Sequence, residues 1–158
     1  MFRKTKQKTK ETFHIFLDVD GVLNKESDWK VKYVIDKACV QNLAQLCRAL
    51  EGTYQHVYII LCSTWRAGVS RTGESIQISE LKKVLKENGL EISGTTPVSD
   101  KGRQAEVEYF IQRNGVEDYL VIDDDESMFY NPDKINLYAP NYKTGLTKKD
   151  VDQIVKGM

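Results

Sequence analysis

Asp18 and Asp20 stand two residues apart at the end of the apolar run "HIFL", and Asp123, Asp124 and Asp125 follow a second apolar run, "YLVI". A carboxylate drawn into an apolar interior without a partner is strongly disfavoured. The nearby cations are too few to neutralise the set. Hard oxygen donors in this number ask for a divalent cation, and Mg²⁺ suits one or two protein carboxylates completed by water and substrate phosphate. A free carboxylate beside such an ion can attack phosphorus. A hydroxyl and a cation can then hold the other phosphoryl oxygens and offset transition-state charge. The chain offers both kinds of group. Ser63, Thr64 and Arg66 lie in "CSTWR", after a third apolar run, and Lys101 and Arg103 lie in "KGR", before a helical pattern.

For these groups to meet, strands must end together. "FHIFLD" (13–18), "HVYIILC" (56–62) and "DYLVID" (118–123) read as buried strands, "LEISGTT" (90–96) as a short edge strand and "KINLYA" (134–139) as a weaker last one. Helical periods lie between them. Residues 36–51 place Val40, Leu43, Leu46, Cys47 and Leu50 on one stripe, with Gly52 as a stop. Residues 79–89 form a helix with Ser79 as N-cap, and 101–115 form one with Val107, Phe110 and Ile111 inward. The last helix opens on a capping box, Thr147 and Asp150. Residues 67–78 are polar and glycine-bearing, hence a loop. Strands alternating with helices make an α/β fold with a mostly parallel sheet, whose ligands sit at the strands' carboxyl ends. The acidic and polar groups fall at those ends.

In chain order, "DVDGVLN", "ILCSTWR", Lys101 before a helix and "VIDDD" resemble the four motifs of the haloacid dehalogenase (HAD) superfamily, over residues 13 to 157. The chain is most similar to small capless (C0-like) phosphatase-type domains, some of which accompany RNA-repair systems, and the closing "TGLTKKDV" also resembles that group. The resemblance implies a Rossmann-like three-layer sandwich of about five strands with a minimal cap. It implies Asp18 as nucleophile and metal ligand. It implies Asp20 as general acid/base, binding Mg²⁺ through its main-chain carbonyl. Gly21 lets the chain turn, Ser63 holds phosphoryl oxygens with Thr64 the competing choice, and Lys101 stabilises the phosphoryl group with Arg103 the alternative. Asp123 and Asp124 complete the metal site, Asp124 directly or through water. Asp125 caps the next turn.

The interval from Asp20 to Ser63 holds a flap, "NKESDWKVKY", and a helix, with no room for a full cap. The site should be open. Trp29 in the flap and Arg66 are candidate substrate contacts, and Trp65 is expected to pack. The expected function is a Mg²⁺-dependent phosphomonoesterase working through an aspartyl-phosphate on a small-molecule phosphate or a nucleic-acid end. The alternatives are a polynucleotide phosphatase and a low-turnover phosphate-binding or regulatory module.

Charge and length set the frame. The chain has 158 residues and equal numbers of acidic and basic side chains, 23 each, yet the first ten residues hold five bases and no acid. Residues 1–11 are expected as a basic, disordered tail and 12–158 as one domain. A basic tail can attract phosphate-rich partners. Neither a membrane span nor a signal peptide is expected. Cys39, Cys47 and Cys62 have no CxxC spacing and suggest small apolar packing residues in a reducing, cytoplasmic setting. Nothing points to an obligate protein partner.

Overall fold

The computed structural model describes residues 10–66 and 76–158. Five strands, β1 (Lys10–Leu17), β2 (Tyr54–Leu61), β3 (Ile92–Thr95), β4 (Tyr119–Ile122) and β5 (Leu137–Tyr138), form one sheet in the order β3-β2-β1-β4-β5. Every neighbouring pair is parallel. The helices are α1 (Lys37–Leu50), α2 (Ile76–Glu87), α3 (Arg103–Asn114) and α4 (Lys148–Lys156). Among the described residues, no helix is long and apolar enough to cross a membrane.

The central strands are apolar on both faces because both are covered. Ile15, Leu17, Ile59, Leu61 and Ile122 point into the larger core, shared with the buried stripes of α1, α2 and α4. Phe16, Ile60, Cys62 and Val121 point the other way, into a smaller core closed by Val107 of α3, Phe129 and Ile135. Alternate residues of one strand thus feed two cores, the period-2 signature of a sheet between helical layers. All five residues of the expected α1 stripe are buried. Asp36 caps that helix, accepting hydrogen bonds from the amides of Ala38 (2.8 Å) and Cys39 (3.3 Å). The capping box of Thr147 and Asp150 opens α4 as the sequence indicates.

Several boundaries differ from the sequence reading, and β5 keeps only Leu137–Tyr138 of the expected 134–139. β1 begins at Lys10, so Lys10 and Glu11, expected in the tail, are in the sheet. Lys10 pairs in register with Tyr54, and its ammonium lies 3.2 Å from the Asp118 carboxylate, which also accepts from the Tyr54 hydroxyl at 3.0 Å. This end of the strand is held by polar contacts that hydrophobic periodicity does not detect. α2 begins at Ile76, three residues early, so Ser79 lies inside the helix rather than at its cap. The rest of the expected loop, 67–75, and residues 1–9 lie outside the described residues.

The segment after β5 buttresses the turn after β1. The Leu146 amide donates to the Val22 carbonyl at 2.8 Å, and the Glu26 amide to the Tyr142 carbonyl at 2.9 Å. Asn42 of α1 fastens the same segment, donating to the Leu146 carbonyl at 2.9 Å. Gly145 has φ +65, and a Cβ there would crowd the Cys39 sulfur and the carbonyls of Val22 and Asn24. This is the structural content of "TGLTKKDV": it packs on the turn that follows β1.

Candidate active site

β1 is central: the chain runs from it through β2 to β3 on one side and then crosses back to β4 on the other, so the crevice at the sheet's carboxyl edge opens beside its tip. Register brings the tips level: Leu17 is opposite both Leu61 and Ile122. Pairing continues one residue further. The Asp18 amide donates to the Ile122 carbonyl at 3.0 Å, Cys62 to Leu17 at 2.9 Å and Asp123 to Tyr138 at 3.2 Å. The main chain at Asp18 and Asp123 is therefore held by the sheet, and their side chains emerge at its mouth.

There Asp18, Asp123 and Asp124 bring carboxylate oxygens within 4.8 Å of one another. Asp18 and Asp123 are buried and Asp124 is half-buried. Arg103, the first residue of α3, reaches between them. Its Nη1 is 2.6 Å from Asp123 Oδ2 and 3.4 Å from Asp18 Oδ1. One guanidinium does not balance three carboxylates. Burial, then the Asp123 charge, pushes the Asp18 carboxyl well above the usual carboxylate range, and Arg103 offsets only part of this. Burial also raises Asp124, which shares a side-chain hydrogen bond with Asp18. Clustered hard oxygens that resist ionising together form a donor set suited to Mg²⁺. Asp18, Asp123 and Asp124 would hold it.

Asp20 stands apart from this cluster and is exposed. Its carboxylate accepts from Asn24 Nδ2 at 2.9 Å and from the Trp65 indole at 3.1 Å. Asn24 is buried at the flap's root, and its Oδ1 accepts from the Gly21 amide and the Trp29 indole, both at 2.9 Å. Asp20 is thus oriented by neutral donors from two segments while Asp18 faces the acidic cluster. Gly21, directly after Asp20, has φ +81, and a Cβ there would overlap the Asp124 carboxylate. Only glycine combines that turn with that close approach.

The other expected site residues separate. Ser63 is buried next to the strand tip, its Oγ accepting from the Trp65 amide at 3.2 Å. Thr64 is exposed and opens the 3-10 turn Thr64–Arg66. The Arg66 side chain lies outside what is described. Lys101 is exposed, whereas Arg103 is buried in the site, so of the two expected cations the structure brings Arg103 to the carboxylates. The reason is position: Gly102, with φ +95, is the N-cap residue, and Arg103 at the first helical position points from α3 into the crevice. Among the described residues, Arg103 Nε is buried without a hydrogen-bond partner. Asp125 caps the turn Glu126–Met128 as expected, accepting from the Ser127 amide at 3.0 Å.

Trp29 both contacts its own surroundings and remains in the site region: it bonds Asn24 and stacks on Tyr142 with centroids 6.0 Å apart. Trp65 packs, as expected, yet also binds Asp20. Asn24 and the polar role of Trp65 were not assigned from sequence. The available signal for Asn24 was an amide ending the apolar run "GVL" directly after the DxD pair.

Residues 14–151, which include all four motifs, match the family described as "HAD domain in Swiss Army Knife RNA repair proteins". No curated protein matches the sequence. A similar solved structure is a haloacid dehalogenase-like family hydrolase from Streptococcus pneumoniae, 10% identical with a TM-score of 0.43, over 93% of this chain and 91% of that one. On the family match, this chain belongs to the HAD domains of Swiss Army Knife RNA repair proteins.

Proposed function

We propose that the protein is a Mg²⁺-dependent phosphomonoesterase that works through an aspartyl-phosphate on Asp18. The observation that carries this reading is the division of labour between two aspartates: Asp18 in a buried acidic cluster, Asp20 outside it and held by neutral N–H donors. Bound Mg²⁺ would neutralise the cluster and polarise the phosphoryl group. A carboxylate oxygen of Asp18 attacks phosphorus, forming the new O–P bond as the ester O–P bond breaks. Asp20 gives its proton to the departing oxygen. Water then attacks phosphorus, Asp20 takes its proton, and phosphate leaves as the Asp18 carboxylate is regenerated.

Ser63 would donate to a phosphoryl oxygen. Arg103, rather than Lys101, would supply the nearby cation, since it already sits 3.4 Å from Asp18. Asn24 and Trp65 orient Asp20 and are positioning residues. The family description, which concerns RNA repair, supports a terminal phosphate on a polynucleotide as the substrate. The test is phosphate release from a panel of small phosphate esters and of 3′- and 5′-phosphorylated oligonucleotides with Mg²⁺. Activity should vanish with chelator and in Asp18→Asn. Metal-loaded protein that released nothing from the whole panel would favour a phosphate-binding module instead.

A further inference from the structure

Beside the acidic cluster, on the Asp20 side, lies a groove of about 440 Å³ lined by Asp20, Asn24, Trp29, Lys32, Tyr33 and Trp65. We propose that this groove is a nucleobase subsite, seating the base of a nucleotide whose terminal phosphate lies against Asp18. The proposal rests on the phosphomonoesterase reading above, because Asp20 then marks where the leaving oxygen departs. Whatever carries that oxygen extends into the groove.

Apolar surface is left in water here. Trp29 is 45% exposed, Val31 64% and Tyr33 42%, all within one short stretch of the flap. The rings are braced rather than loose. Trp29 lies nearly parallel to Tyr142, at 22° and 6.0 Å, and its indole N–H is fixed by Asn24. Tyr33 meets Trp65 edge-on at 90° and 5.7 Å. Tyr33 is also the only non-glycine residue with positive φ among the described residues, at +65. Such a conformation is costly for a bulky side chain and persists where the surroundings impose it, commonly at ligand sites.

The volume is in the range of small-molecule sites. Lys32 stands on the rim and Lys30 beside it in the chain, both exposed. Neither makes an ion pair among the described residues. Stacking rings beside free cations is the pairing that single-stranded nucleic acid uses, base on ring and backbone phosphate on lysine. A phosphotyrosine side chain would supply the ring without the further anions.

The experiment is calorimetric titration of Mg²⁺-loaded Asp18→Asn protein with adenosine 3′- and 5′-monophosphate, ribose 5-phosphate and a phosphotyrosine peptide. At least one nucleotide should bind about tenfold tighter than ribose phosphate, the preference expected of one stacked base. Tyr33→Gly in the same background relieves the left-handed backbone and so should remain folded, with thermal melting as the check, but should lose most of that preference. Tyr33→Phe should keep it. Equal affinity for nucleotides and ribose phosphate, or tighter binding of the phosphotyrosine peptide, overturns the subsite. Phosphate release by the wild type from the whole panel of small phosphate esters and phosphorylated oligonucleotides separates the two readings. Release without base preference removes only the subsite, and base preference without release removes only the phosphomonoesterase.

Discussion

Arg103 and Asp18 set the energetics at the residue scale. A guanidinium in contact with two buried carboxylates cannot be removed cheaply, because the charges it leaves behind stay desolvated. Arg103→Met should therefore destabilise the metal-free protein by about 3 kcal/mol in urea unfolding, with part of the loss restored by Mg²⁺. Lys101→Ala should stay within about 0.5 kcal/mol of wild type, as for ordinary surface substitutions. Equal effects of the two would undo the placement of Arg103 as the site's cation. Asp18 gives a pH signature. Its carboxyl holds a proton more tightly in the fold than in the unfolded chain, so above about pH 4 the folded state carries more protons. The stability this group contributes is full below that pH and is lost as pH rises through the raised value. Metal-free wild type should accordingly lose stability relative to Asp18→Asn as pH increases, and Mg²⁺ should flatten the difference. A difference independent of pH would contradict the raised proton affinity.

Connections between elements matter more here than the strands themselves. The turn Val19–Asn24 is pressed between Asp124 at Gly21 and the Asn141–Leu146 segment at Gly145. Gly21→Ala should cost about 2 kcal/mol, beyond the usual penalty for a side chain at positive φ, and should abolish turnover even where the protein folds. Wild-type kcat in Gly21→Ala would rule out the close approach to Asp124. Thr147→Ala removes the cap of α4 and should lower stability by about 1 kcal/mol, with its effect on activity confined to that loss. The strands and helices were legible because each declares itself by period: "HIFL", "YIIL" and "YLVI" could only be doubly covered strands, and the α1 stripe was complete. What was not legible was packing between distant segments. Nothing in "TGLTKKDV" says that it buttresses residues 22–26, and nothing in "KGR" says which cation turns inward, since that depends on where Gly102 lets α3 begin.

At the scale of the whole molecule, the three inner strand tips would carry the proposed chemistry, with the edge strands β3 and β5 outside them. Because the proposed metal ligands directly follow β1 and β4, metal binding should couple to global unfolding. At 100 times its dissociation constant Mg²⁺ should add about 2.7 kcal/mol, raising Tm by roughly 5–10 °C for a chain of this size. Asp124→Asn should reduce that shift, as read by thermal melting with and without the ion. A Tm indifferent to Mg²⁺ in both proteins would count against the three-carboxylate site. Fold and family could be read from the order of the strand-end motifs. How the flap is braced could not, because Asn24, Tyr33 and Trp65 make contacts that cross the chain.

The sequence contains two tryptophans, and both indole N–H groups are tied into the same network, Trp65 to Asp20 and Trp29 to Asn24. Excited beyond the absorption of its eight tyrosines, the protein therefore carries its own optical label. The two indoles report on the surroundings of Asp20 and Asn24, and ligand arrival or displacement of the flap can each be followed in real time without attaching a dye.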